Sequence, residues 1–297
     1  ERMRERSIPT FSLERHRPLW AFDVFAVTLP HELGHTNLLN LLDLGHVPIR
    51  SADRQTEDPI VVVGGHAAYN PEPLAPFIDA AVMGDGEQVT LEIDGVLRDW
   101  KRDHLAQGTH PAADARHELL RRLAAIDGVY VPAFYEARYH PDSRLRQTVA
   151  TEPGVPSFVP KRTIQDLEEW AYPRKQIVPM TETVHERFSV EIFRGCTRGC
   201  RFCQAGMITR PVRERRPETI QKLVEDGVKD TGFTEVGLLS LSSADHSAIG
   251  PVARNLADTY EGTTTSLSLP STRVDAVNVT RSNELSRNGR RPGLTFA

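Results

Sequence analysis

Short apolar runs alternate with amphipathic stretches along the first hundred residues, a pattern that predicts repeated β–α steps. Asp23-Val-Phe-Ala-Val-Thr28 is a buried-strand run, and Leu33, Leu38, Leu41, Leu42 and Leu44 follow at helical spacing up to a stop at Gly45. Pro59-Ile-Val-Val-Val63 is a second strand ending in Gly64-Gly65-His66, with a short helix opened by Pro71-Glu-Pro73 and carrying Leu74, Phe77 and Ile78. Ala80-Ala-Val-Met83 is a third strand, followed by Gly84-Asp-Gly-Glu87 and a helix toward Trp100. Strands alternating with helices imply a parallel, Rossmann-like sheet, whose ligands sit at the C-terminal strand ends where Gly64, Gly65, Gly84 and Gly86 fall. These glycines permit close backbone approach or simply make tight turns; no G-x-G-x-x-G fingerprint is present, which argues against an NAD site.

The middle of the chain reads differently. Asp114 to Ala125 is a helix with Leu119, Leu120 and Leu123 inside, and Val129–Tyr139, the turn His140-Pro-Asp-Ser143 and Leu145–Val149 predict a β-hairpin whose first strand Pro132 places at an edge. Its aromatic residues Tyr130, Phe134, Tyr135 and Tyr139 are not interleaved with lysines, so hairpin packing explains them better than base stacking. Prolines recur from Glu152 to Met180 and predict a linker with a short helical piece near Ile164 to Trp170.

The β–α rhythm then returns. Phe188-Ser-Val-Glu-Ile-Phe193 is a strand, and Pro217 opens a helix with Ile220, Leu223, Val224 and Val228 on one face. Glu235 to Leu241 is the next strand and Ser242-Ser-Ala-Asp-His-Ser247 its loop, with a helix carrying Ile249, Val252, Leu256 and Tyr260. Thr264 to Leu269 is a third strand, Pro270-Ser-Thr-Arg273 its loop, and a helix runs to a C-cap signal at Asn288-Gly289. The closing Gly293 to Ala297 reads as a strand just begun, and with Glu1-Arg2 at the start in place of a methionine the chain is expected to be a piece of a longer protein.

At 297 residues, 39% hydrophobic and 26% charged, the composition is that of about two globular domains. No apolar run has membrane-spanning length and no signal peptide opens the chain, so the expected location is the cytoplasm. A net charge of −4 makes a general nucleic-acid footprint improbable, yet Arg194 to Arg216 holds seven arginines against one acid, Glu214. That local charge is either a solvated face or compensation for bound anions.

All three cysteines lie in Arg194-Gly-Cys-Thr-Arg-Gly-Cys-Arg-Phe-Cys-Gln-Ala-Gly206, spaced C-x-x-x-C-x-x-C. Thiolates select iron–sulfur clusters, zinc or cuprous copper. A [4Fe–4S] cube needs one ligand per iron, so three cysteines leave one iron open, whereas structural zinc takes four protein ligands and would need a histidine here. Gly195 and Gly199 let the loop turn tightly, and Arg194, Arg198 and Arg201 set positive charge beside the thiolates. A second motif is formal: His31-Glu-Leu-Gly-His35 matches the H-E-x-x-H of zinc peptidases, with Glu32 as general base. Gly34 weakens a helix there, Pro30 puts His31 near a helix start, and no third ligand is evident, so two surface histidines at a helix N-terminus explain it better.

The cysteine spacing, with Phe202 at the aromatic position after an apolar strand, resembles the cluster loop of the radical S-adenosylmethionine (SAM) superfamily. The resemblance implies that Cys196, Cys200 and Cys203 ligate a [4Fe–4S] cluster, that SAM chelates the fourth iron, and that a reductant such as flavodoxin or ferredoxin supplies the electron that cleaves SAM to a 5′-deoxyadenosyl radical. It places Phe202 beside the cluster, Ser240, Ser242 and Ser243 near the methionine amino group, and Ser271, Thr272 and Arg273 near ribose or carboxylate. Helix capping and turn formation are the competing explanation for these serines and Thr272. The run Gly64 to Pro73, with Asp79 and Gly84 to Glu87, resembles the cobalamin-binding-like domain that precedes the barrel in one branch of the superfamily. Pro211-Val-Arg-Glu-Arg-Arg-Pro-Glu218 extends the likeness. Only Leu29-Pro-His-Glu-Leu-Gly34 is similar to the D-x-H-x-x-G of cobalamin domains, and Leu29 stands where Asp would be, which counts against cobalamin.

The expected fold is therefore α/β. A Rossmann-like, cobalamin-binding-like domain lacking its first strand spans 1–110, a helix, hairpin and proline-rich linker span 111–185, and the first half of a partial (β/α)₆ radical SAM barrel spans 186–297. The expected activity is reductive cleavage of SAM to start radical chemistry, with the reaction on substrate open among methyl transfer, sulfur insertion and other rearrangements. The alternatives are a zinc metallopeptidase through His31, Glu32 and His35, and a cluster-holding or cobalamin-like binding module that docks a partner without cleaving SAM.

Overall fold

The computed structural model describes residues 1–105, 114–173 and 175–269. The chain divides into two compact units, Glu1–Ile164 and Gln165–Ala297, each with its own core.

After a short helix α1 (Arg2–Glu5), the first unit builds a sheet in the order β1 (Val24–Thr28), β2 (Ile60–Gly64), β3 (Ala80–Val82), β4 (Val129–Tyr130). The first three strands are parallel and β4 runs antiparallel to β3. The period of two in β2 explains why it reads as an unbroken apolar run: Ile60 and Val62 enter one core while Val61 and Val63 enter the other. Helix α2 (His35–Leu44) covers the second face with Leu38 and Leu42. Helices α3 (Gly86–Leu105) and α4 (Ala115–Ala124) cover the first, with Val89, Ile93, Leu97 and Trp100 against Leu119 and Leu123. Each fully buried aliphatic side chain contributes about 1.5–3 kcal/mol.

The hairpin differs from the sequence expectation. Its supposed first strand is split at Pro132, which has no N–H to give a ladder and instead enters a 3₁₀ turn, Pro132–Phe134. The residues before the turn become β4, and only the residues after it, β5 (Tyr135–Tyr139), pair with β6 (Leu145–Ala150).

Two features of this unit concern residues that carry the sequence's likeness to a cobalamin-binding-like domain. Asp79 is a buried clamp: it accepts from Arg54 Nη1 at 2.7 Å, Arg116 Nη2 at 3.0 Å and the Val61 amide at 2.7 Å. Gly84, with φ +110°, is closed by the chain itself, since a Cβ there would lie 2.1 Å from the Arg162 carbonyl oxygen. Arg162 bridges Gly84 in parallel, its amide donates to Met83 O at 2.8 Å, and its carbonyl accepts from the Asp85 amide at 3.1 Å. Arg162 Nη2 adds a 2.6 Å bond to Glu92. Residues inside the proline-rich stretch thus strap the end of β3.

The second unit is a β/α array. Strand β7 (Phe188–Glu191) leads through Ile192 to β8 (Phe193–Arg194), which pairs antiparallel with β9 (Arg213–Glu214). Strands β10 (Glu235–Leu239) and β11 (Ser266–Ser268) extend the sheet in the order β11-β10-β7, all parallel. A short helix α5 (Ala205–Ile208) lies inside the β8–β9 excursion, and α6 (Pro217–Thr231) and α7 (Ile249–Thr259) are the crossovers. Ile220, Leu223 and Val224 of α6 and Ile249, Val252 and Leu256 of α7 meet Phe188, Val190, Val236, Leu238 and Leu267 in one core. The 270–273 loop, the helix to Gly289 and the closing strand read from the sequence lie outside the described residues. Among the described residues no helix is long and apolar enough to cross a membrane.

Candidate functional site: the cysteine loop and the loop after β10

The cysteine loop is a closed excursion whose base is the β8–β9 pairing of Phe193 with Glu214 and Arg194 with Arg213. It departs at Gly195, with φ +94°, where a Cβ would meet the Pro211 carbonyl oxygen at 2.5 Å, so no other residue makes the turn without displacing backbone. Amides then aim at sulfur: Arg198 N lies 3.5 Å from Cys196 Sγ, and Gly206 N lies 3.3 Å from Cys203 Sγ. An added Cβ at Gly206 would sit 3.6 Å from Cys203 Sγ and 3.8 Å from Cys196 Cβ, so one glycine borders both residues. Cys200 enters through its carbonyl, which accepts from the Cys203 amide at 3.0 Å. All three cysteines are half-buried and in no disulfide. Among the described residues, no three His, Cys, Asp or Glu side chains converge on a single-ion position. A cube places each thiolate on a different iron, so its ligands do not converge on one point.

The arginines have a third role that neither sequence reading named: they build the loop. Arg210 Nε donates to Cys196 O at 3.1 Å, and Arg213 donates to Pro211 O and Thr209 O, both at 3.0 Å. Arg215, buried, donates to Glu191 O at 3.1 Å and Leu167 O at 2.7 Å and stacks over Tyr172. Arg194 forks onto Glu191 with two 2.9 Å bonds. Glu168 closes the N-terminus of α6, accepting from the Arg216 amide at 2.8 Å and Thr219 Oγ1 at 2.5 Å. Burial pushes the Glu168 carboxyl up, but these donors and the Arg216 and Arg215 cations hold it below its ordinary value.

The loop after β10 sorts its serines. Ser243 Oγ donates to Leu238 O at 2.8 Å, Ser240 Oγ donates to Ser243 Oγ at 3.1 Å, and Ser240 Oγ accepts from the Ser242 amide at 3.2 Å. Those two hydroxyls build the turn. Ser242 is 3% exposed, and among the described residues its Oγ has no hydrogen-bond partner. An unsatisfied buried hydroxyl costs about 1–3 kcal/mol. Arg198 of the cysteine loop donates through Nε, at 2.7 Å, and Nη2 to the two carboxylate oxygens of Asp245, which joins this loop to the first. Phe202 lies on the cysteine turn, 86% exposed and outside the core. Ser271, Thr272 and Arg273 lie outside the described residues.

The H-E-x-x-H residues do not share a helix face. His31 is extended, Glu32–Gly34 form a 3₁₀ turn, and His35 is the first residue of α2. Pro30 and Gly34 explain the break. His31 is exposed, while His35 is half-buried.

Fold and loop together define a class: a parallel β/α protein with a three-cysteine loop at the C-terminal end of its first barrel-like strand. Residues 1–132 match the family of radical SAM proteins, N-terminal, and residues 190–294 match the radical SAM superfamily. The chain belongs to the radical SAM superfamily, whose cofactors are a [4Fe–4S] cluster and SAM and which generally uses an external reductant. An uncharacterized protein, MJ0966, of Methanocaldococcus jannaschii is 25% identical over 256 residues, 86% of this chain and 46% of that protein. Radical S-adenosylmethionine methyltransferase TsrM from Kitasatospora setae, solved with cobalamin and a [4Fe–4S] cluster bound, matches with a TM-score of 0.50 at 13% identity, over 90% of this chain and 47% of that one. The same enzyme with tryptophan substrate and a SAM analog matches at 0.49 and 14%, with the same coverage. At such identity the likeness of the first of these speaks to fold alone, and it agrees with an α/β sheet domain followed by a radical SAM domain. The chain spans about half the length of these relatives.

Proposed function

We propose that this chain holds the cluster and part of the SAM site of a radical SAM enzyme, with Cys196, Cys200 and Cys203 as the iron ligands. The observation that carries the reading is the thiol loop itself: amides aimed at Cys196 and Cys203 sulfurs, and Gly206 bordering both residues without a side chain to fill the space. When bound, the cluster and SAM supply a 5′-deoxyadenosyl radical. The chain's part is to donate amide hydrogens to the sulfurs, to hold the loop through Arg210 and Arg213, and to offer the Ser242 hydroxyl to a polar group of SAM. Ser240 and Ser243 serve this role through the turn they build. Phe202 is exposed, so its ring is available to cover a bound cluster. For the domains we propose the division 1–110, 111–185 and 186–297, with the middle part packed into the first compact unit as far as Ile164.

Two of the four strand-end glycines of the first unit, Gly65 and Gly84, are closed to cobalamin by the chain itself, whereas an added Cβ at Gly64 or Gly86 would meet nothing closer than 3.9 Å. Arg162 fills the approach to Gly84, and a Cβ at Gly65 would meet the Leu29 carbonyl oxygen at 2.7 Å. Open sheets bind ligands where strand order reverses, and the described order β1-β2-β3-β4 has no reversal. We therefore route no chemistry through cobalamin.

Iron counting on anaerobically reconstituted protein tests the cluster. About four irons per chain are expected, falling to background in Cys200→Ala. One zinc per chain, or iron retained after all three cysteines are replaced by alanine, would refute the assignment.

A further inference from the structure

The loop after β10 is gripped at three consecutive residues by the hairpin that carries the cysteines. Asp245 receives the fork of Arg198 from inside the cysteine loop, with one bond at 2.7 Å. His246, 3% exposed, donates from Nε2 to Arg215 O at 3.0 Å while its Nδ1 accepts from the Ala248 amide at 3.1 Å. These two partners assign the neutral Nε2–H tautomer, and the ring also lies against Phe193 of β8, with centroids 6.1 Å apart. Glu214 of β9 accepts from the Ser247 amide at 2.8 Å and from the Ser247 hydroxyl. The contacts are directional, and they reach the cysteine loop, its return strand and the residue beyond it. Movement of the 240–247 loop relative to the thiols must break at least one of them. Three residues before Asp245 sits Ser242, whose hydroxyl is buried without a partner among the described residues.

We infer that Asp245 and His246 are positioning residues: they lock the Ser242 loop to the cysteine loop, so that one polar clamp sets the spacing between the thiols and the SAM-binding hydroxyl. The inference rests on the proposed cluster and SAM function. The planar Arg198 fork makes the clamp strict, because two parallel bonds to one carboxylate fix both distance and angle.

The test compares Asp245→Ala and Asp245→Glu with the parent protein, all reconstituted anaerobically. Iron content should stay at the parent level in both. SAM affinity, read by equilibrium dialysis, should fall about tenfold or more in Asp245→Ala, the loss of a charge-assisted pair, and recover most of the way in Asp245→Glu. Hydrogen exchange without SAM gives an independent reading: amides of 197–203 and 240–247 should speed up together in Asp245→Ala. Parent-like SAM affinity in Asp245→Ala, or faster exchange confined to 240–247, would overturn the clamp. If the parent protein binds no SAM, the functional proposal fails while the exchange result still decides whether the two loops are locked.

Discussion

Replacing Asp79 by alanine should destabilise the first unit by about 3–5 kcal/mol, the cost of breaking a buried ion pair from one side. Asp79 is 1% exposed in its side chain, Arg54 0% and Arg116 10%. Two guanidinium groups share one carboxylate, so removing it leaves two like charges side by side and the Val61 amide without its acceptor. Burial pushes the Arg54 guanidinium below its ordinary value, and the Asp79 carboxylate pulls it back. The cations also gather the surrounding chain: Arg54 donates to the carbonyls of Pro48, Ile49 and Phe77, and Arg116 to those of Gln55, Asp58 and Pro59. Urea unfolding compared with the parent protein measures the effect. A loss under about 1 kcal/mol would mean that water already shares the site.

Gly227→Ala should destabilise the second unit by at least about 2 kcal/mol, against a helix propensity that favours alanine by about 1 kcal/mol. A Cβ at Gly227 of α6 would lie 1.9 Å from Phe188 Cζ and 2.2 Å from its Cε1. That ring is fully buried at the start of β7 and has core on every side. The helix must lift or the strand must shift, and β7 is the strand that feeds the cysteine loop, so iron loading should fall as well. Gly95 of α3 is the control, because nothing lies within 4 Å of its added Cβ. Gly95→Ala should therefore be neutral or stabilising by up to about 1 kcal/mol. Equal behaviour of the two substitutions in denaturant unfolding would contradict the packing explanation.

Periodicity made most of the elements legible: β2, α3, α6 and α7 carry apolar residues at their native spacing, and their partners in the core follow from it. Features without a period stayed hidden. Strand β4 is two residues long and is soon followed by Pro132, so its pairing with β3 left no pattern. The strap at Arg162 is a polar segment whose bonds to Met83 and Asp85 are main-chain, and the turn it closes looked like a ligand turn because a glycine admits either. Cysteine spacing revealed the thiol loop directly, whereas the arginines around it reveal only charge, and the targets of Arg210, Arg213 and Arg215 are carbonyls that composition does not show. The serines after β10 look alike in the sequence; hydrogen bonding separates Ser242, whose hydroxyl has no partner among the described residues, from its turn-building neighbours. Gly227 carried a readable signal, a glycine on the apolar side of an otherwise good helix, where alanine would be expected unless space forbade it.

Electron paramagnetic resonance of the anaerobically reconstituted, reduced protein, recorded with and without SAM, bears most directly on the central claim. A reduced cubane signal that shifts when SAM is added is the predicted result, since three thiolates leave one iron to accept the cofactor. A cubane signal indifferent to SAM would contradict that claim and leave a cluster-holding module in its place.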